Sequence, residues 1–231
     1  MLANHRNQFL ASLSSGDDDL LRPHLFPFQV AGSTILHLSG AHIGHVYFPF
    51  GGLVSLFAGT STGECIEAAL LGRDSAIGAA AVLDGGAAIN QAICQTAGSG
   101  VVAKVDALRN LLAESATLST AFMHHHHAMS SYFNQMILCN SLHPVEARLA
   151  RWLLQASSLL DSDVIPLTQE TLGHILGVRR TTVTLIAGSL QKAGVIEVMR
   201  GRIRVLDTEA LHQASCECYR VLNHNGLQPA A

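Results

Sequence analysis

The chain has 231 residues, of which 48% are hydrophobic and 13% are charged, with a formal net charge of -3. Because about a quarter of the residues in a typical globular protein are charged, this composition excludes a disordered acidic or basic chain. It also supplies ample apolar side chains for a core. Since a domain usually spans roughly 100–200 residues, the length predicts one or two domains.

The sequence contains no recognisable membrane or secretion segment. No window reaches about 18 uninterrupted apolar residues, the length that indicates a membrane-spanning helix. The start, from Met1 to Leu13, lacks the compact apolar stretch of a secretory signal. The five cysteines are odd in number and scattered, which favours reduced thiols over a disulfide scaffold. These features predict a cytoplasmic protein with no membrane partner.

Residues 1–116 are predicted to form a jelly-roll-like β domain. Short runs of β-branched, aromatic and alternating residues recur between glycine-containing turns, without helical periods between them. This pattern is typical of a sandwich, jelly roll or barrel rather than of an alternating α/β sheet. The predicted strands are Ser33–Leu38, His45–Phe48, Leu53–Phe57, Glu64–Leu70, Ala92–Thr96 and Val101–Val105. A short helix, capped by Asp106, is expected to follow them.

A long helix is predicted over residues 117–142, because its apolar positions are spaced alternately by four and three. Such a stripe is typical of a helix that packs on a partner helix, and it predicts a homodimer. The stripe comprises Leu118, Phe122, His125, Met129, Tyr132, Met136 and Cys139. The alternative is that this stripe packs on the chain's own β domain. In the dimer interpretation, a second stripe would make that internal contact: Ala121, Ala128, Phe133 and Ile137.

Pro144 marks the predicted boundary of a C-terminal domain over residues 143–231. The residue before a proline disfavours helical geometry, so the long helix should end there. Proline is tolerated in the first turn of a helix, and a new helix is expected over Val145–Leu160.

Residues 164–206 carry the clearest functional pattern. Thr168 is expected to cap a helix from Gln169 to Leu176, and a second helix is expected from Arg179 to Lys192. Gly177 lies where the turn between them needs a left-handed backbone conformation. Apolar and small residues occupy the places that a helix-turn-helix frame requires. Two short alternating runs then predict a β-hairpin, so that the whole segment reads as a winged helix.

This segment offers basic and hydroxyl side chains to duplex DNA. Residues 166–206 hold six lysines and arginines against two acids, which indicates a polyanion partner. In helix-turn-helix proteins, the start of the second helix enters the major groove, where arginine can pair with guanine. Threonine can bond a phosphate or touch a thymine methyl group. The predicted DNA contacts are Thr168, Arg179, Arg180, Thr181, Thr182, Thr184, Arg200 and Arg202.

On the stretches Leu167–Val178 and Gly194–Ile203, the chain resembles regulators of the Crp/Fnr family. The resemblance implies a cyclic-nucleotide-binding-like β-roll, a long dimerisation helix and a C-terminal winged helix. It also implies a transcriptional regulator that binds a roughly palindromic DNA operator as a dimer, with RNA polymerase as a further partner. Residues Gly72–Gly78 resemble the glycine-rich approach to the ligand cassette of that family.

The departures from the family pattern concern the effector. Gly78-Ala79 and Ile89-Asn90 stand where cyclic-AMP-binding members carry Gly-Glu and Arg-Ser pairs. Because burying a phosphate without a cation is costly, no cyclic nucleotide is expected to bind, and the effector stays unknown. No cysteine precedes Cys65, so the N-terminal iron–sulfur cluster of the oxygen-sensing members is not expected. Thr181 replaces the glutamate that is frequent in the recognition helix, so the operator sequence is not predicted. The sequence therefore predicts no cofactor.

Two groups of potential metal ligands have a spacing that does not suit a metal site. His124 to His127 are consecutive in a helix and point about 100° apart, so one helix cannot direct all four at one ion. Cys216 and Cys218 are separated by one residue, with His212 and His224 as the nearby candidates to complete a zinc site. The sequence therefore predicts no metal site, and the histidines are expected to be solvated around the helix, with His125 in the stripe.

Catalysis is not expected either. Glu64, Glu67 and Asp74 are the closely spaced acids of the β domain, and no histidine or cysteine follows them at a suggestive spacing. One alternative function from another class remains open. In it, a β-barrel binds an effector or acts as an enzyme, and the winged helix serves only in protein interaction.

Overall fold

The computed structural model describes residues 7–224, and the ends of the predicted domains at 1–6 and 225–231 lie outside this range. The predicted α+β class is confirmed: a β-roll is followed by a long helix and a winged helix. The strands are β1 Phe26–Val30, β2 Ile35–His37, β3 His45–Gly51, β4 Val54–Gly59, β5 Cys65–Leu71, β6 Gln91–Cys94, β7 Gly98–Lys104, β8 Val164–Ile165, β9 Ile196–Met199 and β10 Arg202–Val205. The helices are α1 Gln8–Ala11, α2 Ser15–Leu21, α3 Ala80–Asp84, α4 Val105–Glu114, α5 Ala116–Leu142, α6 Val145–Leu160, α7 Gln169–Leu176, α8 Arg180–Lys192, α9 Thr208–Ala214 and α10 Cys218–His224.

The β-roll consists of two antiparallel sheets, with strand orders β1-β7-β3 and β2-β6-β4-β5. Each of the six predicted strands overlaps an observed one. The sequence missed β1, because Pro27 lies inside this run and a proline argues against a central strand. The structure resolves this conflict by placing β1 at the edge of its sheet.

The start of α5 differs slightly from the prediction. Ser115 caps the helix, since its hydroxyl oxygen accepts a hydrogen bond from the backbone N–H of Leu118 at 3.1 Å. The predicted cap of the preceding helix is wrong, because Lys104 is the cap residue and Asp106 lies in the first turn of α4. An acidic side chain is also favourable in that turn, where it faces the positive end of the helix dipole.

The stripe assigned to the dimer interface is buried inside the protomer, so that assignment is wrong. We call it the inner stripe: Leu118, Phe122, His125, Met129, Tyr132, Met136 and Cys139, each at most 9% exposed. The hydroxyl of Tyr132 accepts from the backbone N–H of Leu70 at 3.2 Å. The Nε2 atom of His125 accepts from the N–H of Ala76 at 3.1 Å, and burial lowers the pKa of this imidazole to about 4. The inner stripe therefore covers the open face of the chain's own β-roll.

The second predicted stripe makes this internal contact only in part, since Ala121, Ala128 and Phe133 pack against the edges of the same core. Ala121, Ala128 and Phe133 are half-buried, and Ile137 is 66% exposed. Heptad spacing reports that one face of a helix is covered, but it does not identify the covering surface. The alternative left open by the sequence, in which the main stripe packs on the β domain, is the arrangement that the structure adopts.

The C-terminal part packs directly on the β-roll through α6. Trp152 is fully buried, and its Nε1–H donates to the carboxylate of Glu67 on β5 at 2.8 Å. One hydrophobic cluster joins Leu53 and Leu70 of the β-roll to the core of the winged helix. The wing sheet has the order β8-β10-β9, and its short strand β8 was not predicted. The predicted boundary at residue 143 thus lies at a packed joint.

Glu67 makes folding stability depend on pH. Burial raises its pKa from 4.5 to about 7, and this effect outweighs the hydrogen bonds from Ser55 and Trp152 and the charge of Arg151. The folded protein therefore holds this proton more tightly than the unfolded chain. Glu67 contributes up to about 3 kcal/mol to the free energy of unfolding. This contribution is fully present below pH 4.5 and is lost as the pH rises through 7.

Replacing Glu67 by Gln should remove this dependence. We expect the free energy of unfolding, measured with urea at a series of pH values, to fall less steeply between about pH 4.5 and 7 in Glu67→Gln than in the wild type. Glu64→Gln on the exposed hairpin is the control and should keep the wild-type slope. Equal slopes in Glu67→Gln and wild type would contradict the buried-carboxyl interpretation.

Candidate nucleic-acid interface

The helix-turn-helix forms where the sequence predicts it. The hydroxyl oxygen of Thr168 accepts from the N–H of Thr171 at 3.1 Å and so caps α7. Gly177 ends this helix with a φ of 66°, the left-handed conformation that the turn requires. Thr168 thus has a structural role beside the DNA contact proposed for it.

Gly173 permits the close approach of α7 to the turn. A Cβ atom at this position would lie 2.9 Å from the carbonyl oxygen of Val178, which is too close for an unstrained contact. The N–H of Val178 in turn donates to the carbonyl of Gly173 at 2.9 Å. These short backbone contacts fix the angle between α7 and α8.

The recognition helix α8 begins at Arg180, one residue later than predicted. Arg179 is its cap residue in extended conformation, and its side chain makes no capping hydrogen bond. Both arginines are exposed, as are Thr181 and Thr184, whereas Thr182 is half-buried. The exposed start of a helix also directs backbone N–H groups and a positive dipole end outward, which favours a phosphate there.

Four of the predicted contact residues line one groove between the recognition helix and the wing. This groove has a volume of about 330 Å³, and its walls include Thr168, Arg180, Arg200 and Arg202. Arg179 lies on the other side of the helix start, in a second groove beside the β4–β5 hairpin. Thr181, Thr182 and Thr184 line neither groove. The structure therefore gathers half of the predicted set and places the rest along α8 and its cap.

The arginines of this surface carry uncompensated charge. Within residues 7–224, Arg179, Arg180, Arg200 and Arg202 make no ion pair. Arg204 is different, because Glu197 and Asp163 lie 3.4 and 3.6 Å from its guanidinium nitrogens. The four unpaired guanidinium groups can therefore neutralise phosphates without first breaking a salt bridge.

Two residues of this surface are not among the DNA contacts that the sequence predicts. Leu185 is 74% exposed, one turn after Thr181 on α8, and an apolar group there can touch a thymine methyl. The sequence could have indicated this residue, because an apolar Leu185 does not fit the helical spacing of the buried Val183 and Ile186. Gln169 lies 2.8 Å from the hydroxyl of Thr184 through its amide oxygen, and only the folded helix pair reveals this contact.

A second candidate site lies between the β-roll and α5. A cavity of about 150 Å³ is lined by the region of Gly78 and Ala79, by Ile89 and Asn90, and by Met129 of the inner stripe. Among its described lining residues none is a lysine or arginine. Ile89 is 86% exposed at its rim. The cavity is thus largely apolar, and its described lining offers no lysine or arginine that could neutralise a phosphate.

Comparisons with known proteins agree with this architecture. Residues 147–214 match the Crp-like helix-turn-helix domain. A protein described as a regulator of the Crp/Fnr family from Eubacterium rectale is 18% identical, covers 91% of this chain and 99% of its own, and superposes with a TM-score of 0.69. FixK2 from Bradyrhizobium japonicum is 15% identical, with 83% and 98% coverage and a TM-score of 0.70.

The chain has the fold of the Crp/Fnr regulators. The c-di-GMP responsive global regulator CLP of Xanthomonas campestris shares this fold, with 13% identity, 83% and 99% coverage and a TM-score of 0.67. A search of curated protein sequences gave no match. The resemblance to the Crp/Fnr family is confirmed for the fold and for the helix-turn-helix domain, which is a Crp-like one.

Arg180 and Arg202 should differ in what they contribute to DNA binding. We expect Arg180→Ala to cost about 1–3 kcal/mol on the best operator and to relax the preference at one base pair per half-site. Arg202→Ala should weaken all duplexes about equally and lower the slope of log affinity against log salt by about one per site. Fluorescence titrations on cognate and scrambled duplexes across a salt series measure both effects. An equal loss on both duplexes for Arg180→Ala would make it a phosphate contact.

The cavity beside α5 should not bind cyclic nucleotides. Ala79 and Ile89 supply neither a carboxylate for the ribose nor a guanidinium for the phosphate. Asp84 also lines the cavity, but no described lining residue is a lysine or arginine that could neutralise the phosphate. Isothermal titration calorimetry with cyclic AMP and cyclic GMP should detect no binding. A dissociation constant in the micromolar range for any cyclic nucleotide would contradict this expectation.

Proposed function

We propose that the protein is a transcriptional regulator that binds a roughly palindromic operator as a homodimer. The observation that carries this proposal is the groove between α8 and the wing, where unpaired arginines line a surface of a Crp-like helix-turn-helix domain. Base contacts give sequence specificity, and phosphate contacts position the protein. Since its ligand is chromosomal DNA, we place the protein in the cytoplasm.

The geometry supports different roles for the arginines, with base contacts from α8 and phosphate contacts from the wing. Arg180 lies at the first position of α8, where a side chain can reach base edges in the major groove. Arg200 and Arg202 flank the tight turn of the wing, where they can contact backbone phosphates. Arg179, Thr181, Thr182 and Thr184 are the further candidates along the helix start, and Leu185 joins them as a candidate contact to thymine.

Dimerisation requires a face of α5 other than the inner stripe. The opposite side of this helix is exposed at positions that again alternate in steps of four and three. We call it the outer stripe, and it consists of Ala116, Thr120, Met123, His127, Ser130, Asn134, Ile137 and Ser141. Its apolar members Met123 and Ile137 are 60% and 66% exposed, and Leu142 beyond its end is also exposed.

A second copy of the chain is the occupant that fits the outer stripe. Small side chains dominate it, which lets two helix backbones approach closely, and its register repeats over the length of α5. A two-fold axis along this helix would make the interface self-complementary and present two recognition helices to one duplex. An effector in the apolar cavity would act on the same helix, through Met129. If the protein activates transcription, RNA polymerase is a further partner.

The outer stripe should control both assembly and DNA binding. We expect the double variant Met123→Glu with Ile137→Glu to be monomeric, because each substitution would bring two carboxylates together across the apolar contact of the dimer. Sedimentation velocity measures the assembly state, and circular dichroism checks that the variant is folded. Its affinity for a palindromic duplex should fall, since the second half-site no longer contributes.

The matched control is the double variant Leu38→Glu with Leu206→Glu. These leucines are 54% and 55% exposed and do not belong to α5, so the control should remain dimeric. A wild-type monomer, or a Met123/Ile137 variant that stays fully dimeric, would contradict the assigned interface. Salt-dependent binding to duplex DNA also separates this function from a winged helix used only for protein interaction, which would not bind DNA.

A further inference from the structure

Three cysteines and one histidine that are distant in sequence meet where α5 ends. Cys139 lies on the last turn of α5, and His143 follows that helix. Cys216 lies in the loop before α10, and Cys218 is the first residue of α10. One ligand atom from each residue lies within 4.8 Å of all the others. The three cysteines are buried, and the side chain of His143 is 17% exposed.

The distances within this cluster suit a tetrahedral metal better than a disulfide. The sulfur atoms of Cys139 and Cys216 are 3.6 Å apart, and the sulfur of Cys218 lies 3.4 Å from Nδ1 of His143. A disulfide would need about 2.0 Å between sulfurs. Zinc bonds of about 2.3 Å to sulfur and 2.0–2.1 Å to nitrogen place tetrahedral ligands about 3.6–3.8 Å from each other. The Cys139–Cys216 distance of 3.6 Å has this length, and the Cys218–His143 distance of 3.4 Å is slightly shorter.

The surroundings of the cluster also fit a metal site. Nε2 of His143 lies 3.3 Å from the carboxylate of Glu217, so an N–H there would leave Nδ1 free to bind the ion. Histidine ligands usually donate their other ring N–H in this way. Gln135 donates to the sulfur of Cys218 at 3.0 Å. Such outer contacts fix the orientation of the ligands.

Two buried arginines balance the charge that such a site would carry. Three thiolates and one Zn²⁺ leave a net negative charge, which is costly to bury alone. Arg148 and Arg151 are at most 6% exposed, and the Nε atom of each lacks a hydrogen-bond partner within the described residues. Both guanidinium groups interact electrostatically with the sulfur of Cys139. The cluster thus lies in a buried, electropositive environment.

We propose that Cys139, His143, Cys216 and Cys218 form a zinc site that fastens the C-terminal helix α10 to the junction of α5 and α6. Binding converts three thiols into three thiolates and releases their protons to solvent, and no atom changes its oxidation state. The ion would cross-link the end of the dimerisation helix to the last described element of the DNA-binding region. Metal occupancy would therefore stabilise the position of that region relative to α5.

The sequence predicted no metal site here, because Cys216 and Cys218 have no suitable further ligands nearby in the sequence. His212 packs its ring on Tyr219 at 4.6 Å, and the side chain of His224 is outside the described part of the chain. The completing ligands come from Cys139 and His143, more than 70 residues earlier. Nothing in the local spacing could reveal them. The consecutive histidines His124 to His127 take no part in it.

The test uses the reduced full-length protein with Zn²⁺ and Co²⁺ as probes. We expect one zinc per protomer by elemental analysis. Titration with Co²⁺ should give the thiolate charge-transfer bands and the intense visible bands of a tetrahedral ion. Glu217→Gln should weaken cobalt binding about 10–100-fold, because it removes the partner of a ligand, and His143→Gln should weaken it further.

Two further variants separate a lost ligand from a lost fold. Cys218→Ser should abolish the charge-transfer bands, whereas Cys65→Ser, at an exposed cysteine outside the cluster, should leave them unchanged. Zinc should also raise the melting temperature of the wild type and Cys65→Ser, and not that of Cys218→Ser. Three outcomes would overturn the proposal: no bound zinc or cobalt in the reduced protein, unchanged cobalt spectra in Cys218→Ser and His143→Gln, or a Cys139–Cys216 disulfide in place of the metal.

Discussion

The long helix α5 can bury only one of its two heptad stripes inside the protomer, and the arrangement of the other elements depends on this choice. The inner stripe closes the β-roll, and Tyr132 ties it to β5 and, through Gln155, to α6. The outer stripe is then left for a partner. The same helix thus forms part of the core of the β-roll, the proposed dimer contact and the support of the winged helix.

The joint between the β-roll and the winged helix is polar as well as apolar. Trp152 and Arg151 of α6 converge on Glu67, and the carboxyl depends on these contacts because it is buried away from solvent. The proposed zinc site lies on another side of the same helix junction. A signal in the apolar cavity beside Met129 would reach α6 through these packed elements, since it acts first on α5.

Elements governed by local chemistry could be predicted from the sequence. The cap at Thr168, the left-handed glycine Gly177 and the bounds of α6 and α7 follow from neighbouring residues, and the structure has them as predicted. Contacts between distant segments could not be predicted. The periodicity of α5 showed that one face is covered but not by what, and the spacing of Cys216 and Cys218 did not reveal Cys139. The edge strand β1 was hidden by Pro27, whose tolerance depends on the final sheet order.

The central claim is that two copies of this chain read one DNA site through a two-fold axis along α5. Sequencing the genomic DNA that the protein retains tests it most directly. The account predicts enrichment of an inverted repeat whose half-sites are centred about one helical turn, roughly 34–36 Å, apart. Enriched sites without two-fold symmetry, or no enrichment over the input DNA, would contradict it.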